Sequence, residues 1–133
     1  MVAQDMRADS STSGRILAVV TDLMLESRIR EKARAMGYDV SVVGTVQAVR
    51  DAVASAPPDL LVLDLQAERL PWREAVAAAK EGAEGPVPVL AYGQHTKADV
   101  LRAARDGGCD MAVPRSQLME EFPALIEQVR RRR

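Results

Sequence analysis

Aromatic residues, cysteine and long apolar runs are scarce in this chain of 133 residues. Phe, Trp and Tyr together make up 3% of the residues, so the chain lacks the stacking platforms of a single-stranded nucleic-acid reader. The single cysteine, Cys109, excludes an intrachain disulfide and fits a reducing compartment. No apolar run approaches the ~18 residues that span a bilayer, and no apolar stretch typical of a secretory signal follows Met1. We therefore expect a cytoplasmic protein without membrane insertion.

A large excess of one charge is also absent. The chain has 18 Lys and Arg residues against 19 Asp and Glu residues, for a net charge of −1. Four consecutive arginines, Arg130 to Arg133, form a basic end, so the remainder is mildly acidic. Because no extended basic face is implied, DNA is not an expected partner.

Aliphatic residues, by contrast, are abundant. Hydrophobic residues make up 47% of the chain, and Ala, Val and Leu supply most of them. The length fits one domain. Residues 1–14 are polar and predict a disordered leader, residues 15–129 predict the folded domain, and residues 130–133 predict a basic tail.

Short apolar runs alternate with segments of helical periodicity. The runs predict five buried strands at residues 16–20, 38–43, 60–65, 87–92 and 111–113. Between them, Thr45, Thr96 and Ser116 are predicted to cap helices, and one last helix is predicted to continue to Val129. This order indicates an α/β fold: a flavodoxin-like, doubly wound (βα)5 parallel sheet. We expect strand order 2-1-3-4-5 and a three-layer sandwich with helices on both faces.

In such a sheet, ligands and chemistry lie at the carboxyl ends of the strands. The residues that the sequence places there are Thr21 and Asp22 after strand one, Asp64 at the end of strand three, Gly93 and His95 after strand four, and Pro114 and Arg115 after strand five.

Three of these segments carry a family resemblance. The third strand reads LLVLD, the fourth contains Pro-Val-Leu, and Gly-Cys-Asp precedes the fifth after an Ala-rich helix. Over about residues 15–129 the chain resembles the receiver domain of bacterial response regulators, the family of the chemotaxis receiver. The resemblance implies a role in two-component signal transduction. It also implies a Mg²⁺-dependent phosphoryl transfer to the aspartate of strand three.

The resemblance is incomplete at the site residues. Asp64 matches the phosphoacceptor, and the family's pair of acids is reduced to Thr21-Asp22, which leaves Asp22 and Asp64 as the candidate metal ligands. Gly93 stands at the position of the phosphoryl-binding hydroxyl, and Pro114 stands at the position of the lysine.

Three further positions bear on this site. Arg115 is a candidate to reach Asp64 and neutralise it permanently, which would imitate a fixed state. His95 is either a titrating group or plain polar surface, and Asp22 is either a metal ligand or a helix cap. Met111 replaces the family's switching aromatic.

These departures favour a pseudo-receiver: a stand-alone signalling module that acts by protein–protein interaction, without enzymatic activity or cofactor. One alternative is a functional single-domain response regulator, phosphorylated on Asp64 with Mg²⁺ by a histidine kinase. Another is a small-ligand or nucleotide binder at the crevice formed by the strand ends. The expected surface for a signalling partner or a homodimer comprises the fourth helix, fifth strand and last helix. Its representative residues are Arg102, Arg105, Met111, Gln117 and Met119.

Overall fold

Strands and helices alternate in a computed structural model, which describes residues 14–67, 69–94 and 96–131. The strands are β1 (Gly14–Val19), β2 (Tyr38–Val42), β3 (Leu60–Asp64), β4 (Val89–Gly93) and β5 (Met111–Pro114). The helices are α1 (Leu23–Ala35), α2 (Val46–Ser55), α3 (Trp72–Lys80), α4 (Ala98–Asp106), α5 (Arg115–Glu120) and α6 (Phe122–Arg131). The predicted leader, except Gly14, and His95, Arg132 and Arg133 lie outside the described residues.

All strand pairs are parallel, and the order in the sheet is β2-β1-β3-β4-β5. The predicted fold and strand order are therefore confirmed. The register sets Asp64 beside Tyr92 and sets Gly93 beside Pro114. The carboxyl ends of β1, β3, β4 and β5 consequently meet along one edge of the sheet.

The core has two layers, one on each face of the sheet. All five residues of β3 are buried, and its apolar residues alternate between the layers. Leu61 and Leu63 contact the side of α2, α3 and α4, whereas Leu60 and Val62 contact the side of α1, α5 and α6. Burial of each such side chain contributes roughly 1.5–3 kcal/mol. This two-sided burial explains why the strands read as continuous apolar runs.

Helix starts agree only partly with the predicted caps. Thr45 caps α2, since its side chain accepts a hydrogen bond from the Ala48 N–H. Thr96 does not cap α4: the helix begins after Lys97, without a side-chain cap. Ser116 is not a cap either, because α5 already begins at Arg115, directly after Pro114.

The last helix is also not continuous. It is divided at Glu121 into α5 and α6, and Pro123 occupies the second position of α6. A proline has no N–H for the preceding turn, so it fits the start of a new helix better than the interior of a long one. Arg130 and Arg131, which were predicted to be in the tail, belong to α6.

Candidate functional site

Asp64 ends β3 at the carboxyl edge of the sheet. Its side chain is 8% exposed, and it is the single charged residue that is buried in the described part of the chain. One carboxylate oxygen, Oδ2, accepts a hydrogen bond of 3.0 Å from the Thr21 hydroxyl. The other, Oδ1, accepts one of 2.8 Å from the Gln66 backbone N–H. Neutral donors therefore hold the phosphoacceptor-equivalent residue in place.

Asp22, in the loop after the neighbouring strand β1, is held differently. Its Oδ1 caps α1 by accepting hydrogen bonds from the N–H groups of Met24 and Leu25, at 2.9 and 3.2 Å. Its Oδ2 accepts a hydrogen bond of 2.5 Å from the Arg115 guanidinium, which forms an ion pair with it. The Arg115 contact, followed by the cap bonds, lowers the pKa of Asp22. The helix-cap prediction for Asp22 is confirmed.

Arg115 thus contacts Asp22 rather than Asp64. The predicted contact between Arg115 and Asp64 is wrong. Arg115 is the first residue of α5, and Asp22 immediately precedes α1. The ion pair therefore joins the loop after β1 to the start of the helix after β5.

Tyr92 is a site residue that the sequence pattern did not reveal. It lies beside Asp64 in the sheet register, is 2% exposed, and its buried hydroxyl has no hydrogen-bond partner among the described residues. Burial, and then the negative charge of Asp64, raise the pKa of Tyr92 well above its usual value. The signal in the sequence is a tyrosine within an otherwise aliphatic strand, next to the glycine where the family has its hydroxyl.

Gly93 and Pro114 pair across β4 and β5, where the family's hydroxyl and lysine are expected. A Cβ atom on Gly93 would lie 3.5 Å from the nearest Leu101 methyl carbon and 3.7 Å from Leu65, which are ordinary contacts. A side chain that carries the hydroxyl would therefore fit at position 93 without crowding.

The donor set does not fit Mg²⁺ well. Both oxygens of Asp22 already accept hydrogen bonds, and the cationic Arg115 lies at one of them. Thr21 stands in place of a second carboxylate, and its hydroxyl donates a hydrogen bond to Asp64. In the described ranges, no three His, Cys, Asp or Glu side chains are grouped so as to hold a metal ion. Mg²⁺ prefers carboxylate oxygens in near-octahedral geometry, and this edge of the sheet does not offer such a set.

The predicted interaction face is only partly exposed. Arg102 lies exposed on α4, and Arg105 of the same helix donates a hydrogen bond to the Ala112 carbonyl of β5. Met111, Gln117 and Met119 are half-buried, and both methionines pack against the core layer of α1 and α6. In the described part of the chain, the most exposed large apolar side chains are instead Leu23 and Met24, at 79% and 71%.

Cys109 is buried just before β5, and burial raises the pKa of its thiol to about 12. The thiolate is the reactive form of cysteine, so this residue is inert at neutral pH. None of the helices in the described part of the chain is both long and apolar enough to span a membrane.

Known response regulators are similar to this chain in sequence, although no family model matches it. The response regulator MprA of Mycobacterium tuberculosis is 30% identical over 120 residues, which cover 90% of this chain and 52% of the relative. The chain thus spans about half the length of the curated relatives it matches, and its predicted stand-alone organisation stays a prediction.

Solved structures show the same fold. Full-length FixJ from B. japonicum superposes with a TM-score of 0.77 at 21% identity, covering 90% of this chain and 59% of FixJ. The BeF3-activated receiver domain of nitrogen regulatory protein C superposes with a TM-score of 0.70 at 20% identity, covering 89% of this chain and 94% of that domain. The predicted resemblance is confirmed: the chain is similar in sequence to response regulators and has the fold of their receiver domains.

Proposed function

We propose that this receiver domain is a pseudo-receiver, a signalling module that acts through protein–protein contact and keeps one state without phosphorylation. The observation that carries the proposal is the ion pair between Arg115 and Asp22. In this proposal the domain needs no cofactor and performs no catalytic turnover. A cytoplasmic location stays a prediction.

The support comes from what the ion pair does to the site. It places a fixed positive charge at the one acidic residue left from the family's metal-binding pair. It also connects the start of α1 to the start of α5, so α5 is held relative to the carboxyl edge of the sheet. Receivers of the family need a metal and a phosphoryl group to fix this edge of the sheet. In this proposal the domain's own side chains fix it instead.

The decisive experiment is incubation of the protein with acetyl phosphate and Mg²⁺, followed by mass spectrometry of the intact chain. We expect no stable phosphorylated species. A matched variant with Thr21→Asp, Gly93→Ser, Pro114→Lys and Arg115→Gln restores the family's acid pair, hydroxyl and lysine and removes the cation beside Asp22, and we expect it to gain an adduct. The adduct is expected to disappear when Asp64→Asn is added.

A stable acyl phosphate on Asp64 of the unmodified protein would overturn the proposal. It would favour the second candidate, a receiver that is phosphorylated on Asp64 by a histidine kinase. The room at Gly93 is the observation that favours this candidate, because a phosphoryl oxygen can approach where no side chain stands. Mg²⁺-dependent binding of beryllofluoride, a phosphoryl mimic, would support the same candidate without a kinase.

The contact surface is tested separately. We expect Arg102→Glu, which reverses an exposed charge on α4, to reduce recovery of the signalling partner from native lysate several-fold. Arg50→Glu makes the same change on the exposed side of α2 and is the control. Equal recovery with both variants would place the partner-binding surface elsewhere.

A further inference from the structure

A pocket of about 410 Å³ opens at the carboxyl edge of the sheet, beside Asp64 on the α2 and α3 side. It is formed by the end of β1, the turn after β2 and the loop after β3. Its volume lies within the range of about 300–1,000 Å³ that is typical of small-molecule sites. Its lining residues are Val19, Val20, Thr21, Val43, Gly44, Gln66, Ala67, Arg69 and Leu70.

The position of the pocket follows from the topology. β1 lies between β2 and β3, so the strand order reverses between β1 and β3. Loops from the two strands diverge at such a point and leave a crevice outside the strand ends. In open α/β sheets this crevice is where ligands bind.

The walls of the pocket are largely apolar, since Val19, Ala67 and Leu70 are buried members of the adjoining core layer. Beside them stand polar groups of Thr21, Gln66 and Arg69. A site of this composition suits a molecule with an apolar body and few polar groups.

Arg69 is the one charged side chain among the lining residues that the structure describes, and its neighbour Glu68 lies outside the described residues. Arg69 is exposed and forms no ion pair with any residue that the structure describes. Gly44 is followed by Thr45, the cap of α2, and the first turn of α2 contains no acidic residue that would offset the positive helix end. A Cβ atom on Gly44 would meet nothing within 4 Å, so the space in front of this helix end is open.

We infer that this pocket binds a small organic anion, a molecule with an apolar body and one carboxylate or phosphate group. The anionic group is expected between Arg69 and Gly44, because Asp64 behind Thr21 would repel it at the other end. The inference does not depend on the pseudo-receiver proposal, since it requires neither phosphorylation nor a protein partner.

The test is an amide-resolved NMR titration of the full chain. The probes are adenosine monophosphate, which carries a phosphate, and benzoate, which carries a carboxylate. Inorganic phosphate and adenosine represent the two halves of the nucleotide. Acetate and benzene represent the two halves of benzoate. We expect at least one of the two composite probes to shift the amide signals of Gly44, Gln66 and Arg69, and to bind at least tenfold more tightly than either of its halves. The probe that binds identifies the anionic group.

Two variants separate charge from space. Arg69→Glu is expected to weaken the binding probe tenfold or more, whereas Arg50→Glu, outside the pocket, leaves its affinity unchanged. Gly44→Leu is expected to block binding by filling the open space while leaving every charge in place. Thermal melting of each variant checks that it is folded.

The inference is overturned if neither composite probe shifts these amides at millimolar concentration, or if the separate anion binds as tightly as its composite probe. It is also overturned if Arg69→Glu and Arg50→Glu have the same effect on affinity. None of these results bears on the phosphodonor experiment, so the two proposals fail separately.

Discussion

Asp22 follows β1 and Asp64 ends the adjacent strand β3, yet the two carboxylates are held by different kinds of groups. Asp22 is partly exposed and is held by a cation and two helix N–H groups. Asp64 is buried and is held by a hydroxyl and a backbone N–H, without a cation. The positive charge of the site therefore lies at the helix cap rather than at the phosphoacceptor-equivalent residue.

This difference separates two roles that a metal-binding receiver combines. The Asp22 contact joins two loops, and the Asp64 contacts fix one buried side chain. A change at Asp64 should therefore act mainly on folding stability. A change at Arg115 should act mainly on the pKa of Asp22 and on the connection between α1 and α5.

The largest expected effect on stability comes from Asp64→Ala. This variant leaves the Gln66 N–H and the Thr21 hydroxyl without their acceptor, and we expect it to lower the free energy of unfolding by about 1–2 kcal/mol. Asp64→Asn keeps one acceptor oxygen and should lose about half as much. Urea unfolding followed by circular dichroism measures both. A more stable Asp64→Ala protein would show that the buried charge costs more than its hydrogen bonds return.

A smaller effect is expected from Arg115→Gln. The pKa of Asp22 lies below its ordinary value of 3.8 chiefly because of Arg115, so this variant should raise it toward that value. A group with a lowered folded-state pKa contributes stability above its unfolded pKa and loses it as pH falls through the folded-state pKa. The unmodified protein should therefore lose this contribution below about pH 4.

Side-chain carboxyl NMR of Asp22 against pH measures the shift, and Arg115→Lys, which retains the charge, is the control. High salt should reduce the difference between the unmodified protein and Arg115→Gln, because the ion pair is partly exposed. An unchanged Asp22 titration in Arg115→Gln would show that the helix cap alone sets the pKa.

The smallest expected effect is that of Tyr92→Phe. The Tyr92 hydroxyl is buried without a partner among the described residues, so its removal should leave the free energy of unfolding unchanged or raise it by up to about 1 kcal/mol. Tyr38→Phe is the matched control, because the Tyr38 hydroxyl accepts a hydrogen bond from Arg130 and its loss should destabilise the protein. A clear loss of stability in Tyr92→Phe would reveal a hydrogen bond between Tyr92 and the Asp64 site.

Much of the fold follows from local patterns in the sequence. Residues 60–64 are apolar on both faces up to Asp64, which predicts a central parallel strand, and helical spacing between the strands predicts the crossovers. The failures concern residues whose role depends on the loop before them. Thr96 and Ser116 have the right side chains for caps, but α4 begins after Lys97 and α5 begins directly after Pro114.

For the site, the sequence predicts which residues are neighbours but not which atoms are in contact. Parallel strands bring their carboxyl ends together, so Asp22, Asp64 and Arg115 were expected to be neighbours. Which carboxylate Arg115 contacts depends on the reach of a long side chain, and sequence spacing does not contain that information. Tyr92 is not predictable as a site residue because a tyrosine in an apolar strand has the pattern of a core residue, and only the strand register places it beside Asp64.

The place of β1 between β2 and β3 has a consequence for synthesis on the ribosome. β1 precedes both of its partners, and its last residue, Val19, pairs with Leu63 of β3. At about 5–20 residues per second, the strand waits on the order of seconds for that second neighbour. Until then β1 can pair only with β2, so the side chains from Ile16 to Val20, which are buried in the folded protein, lack part of their cover.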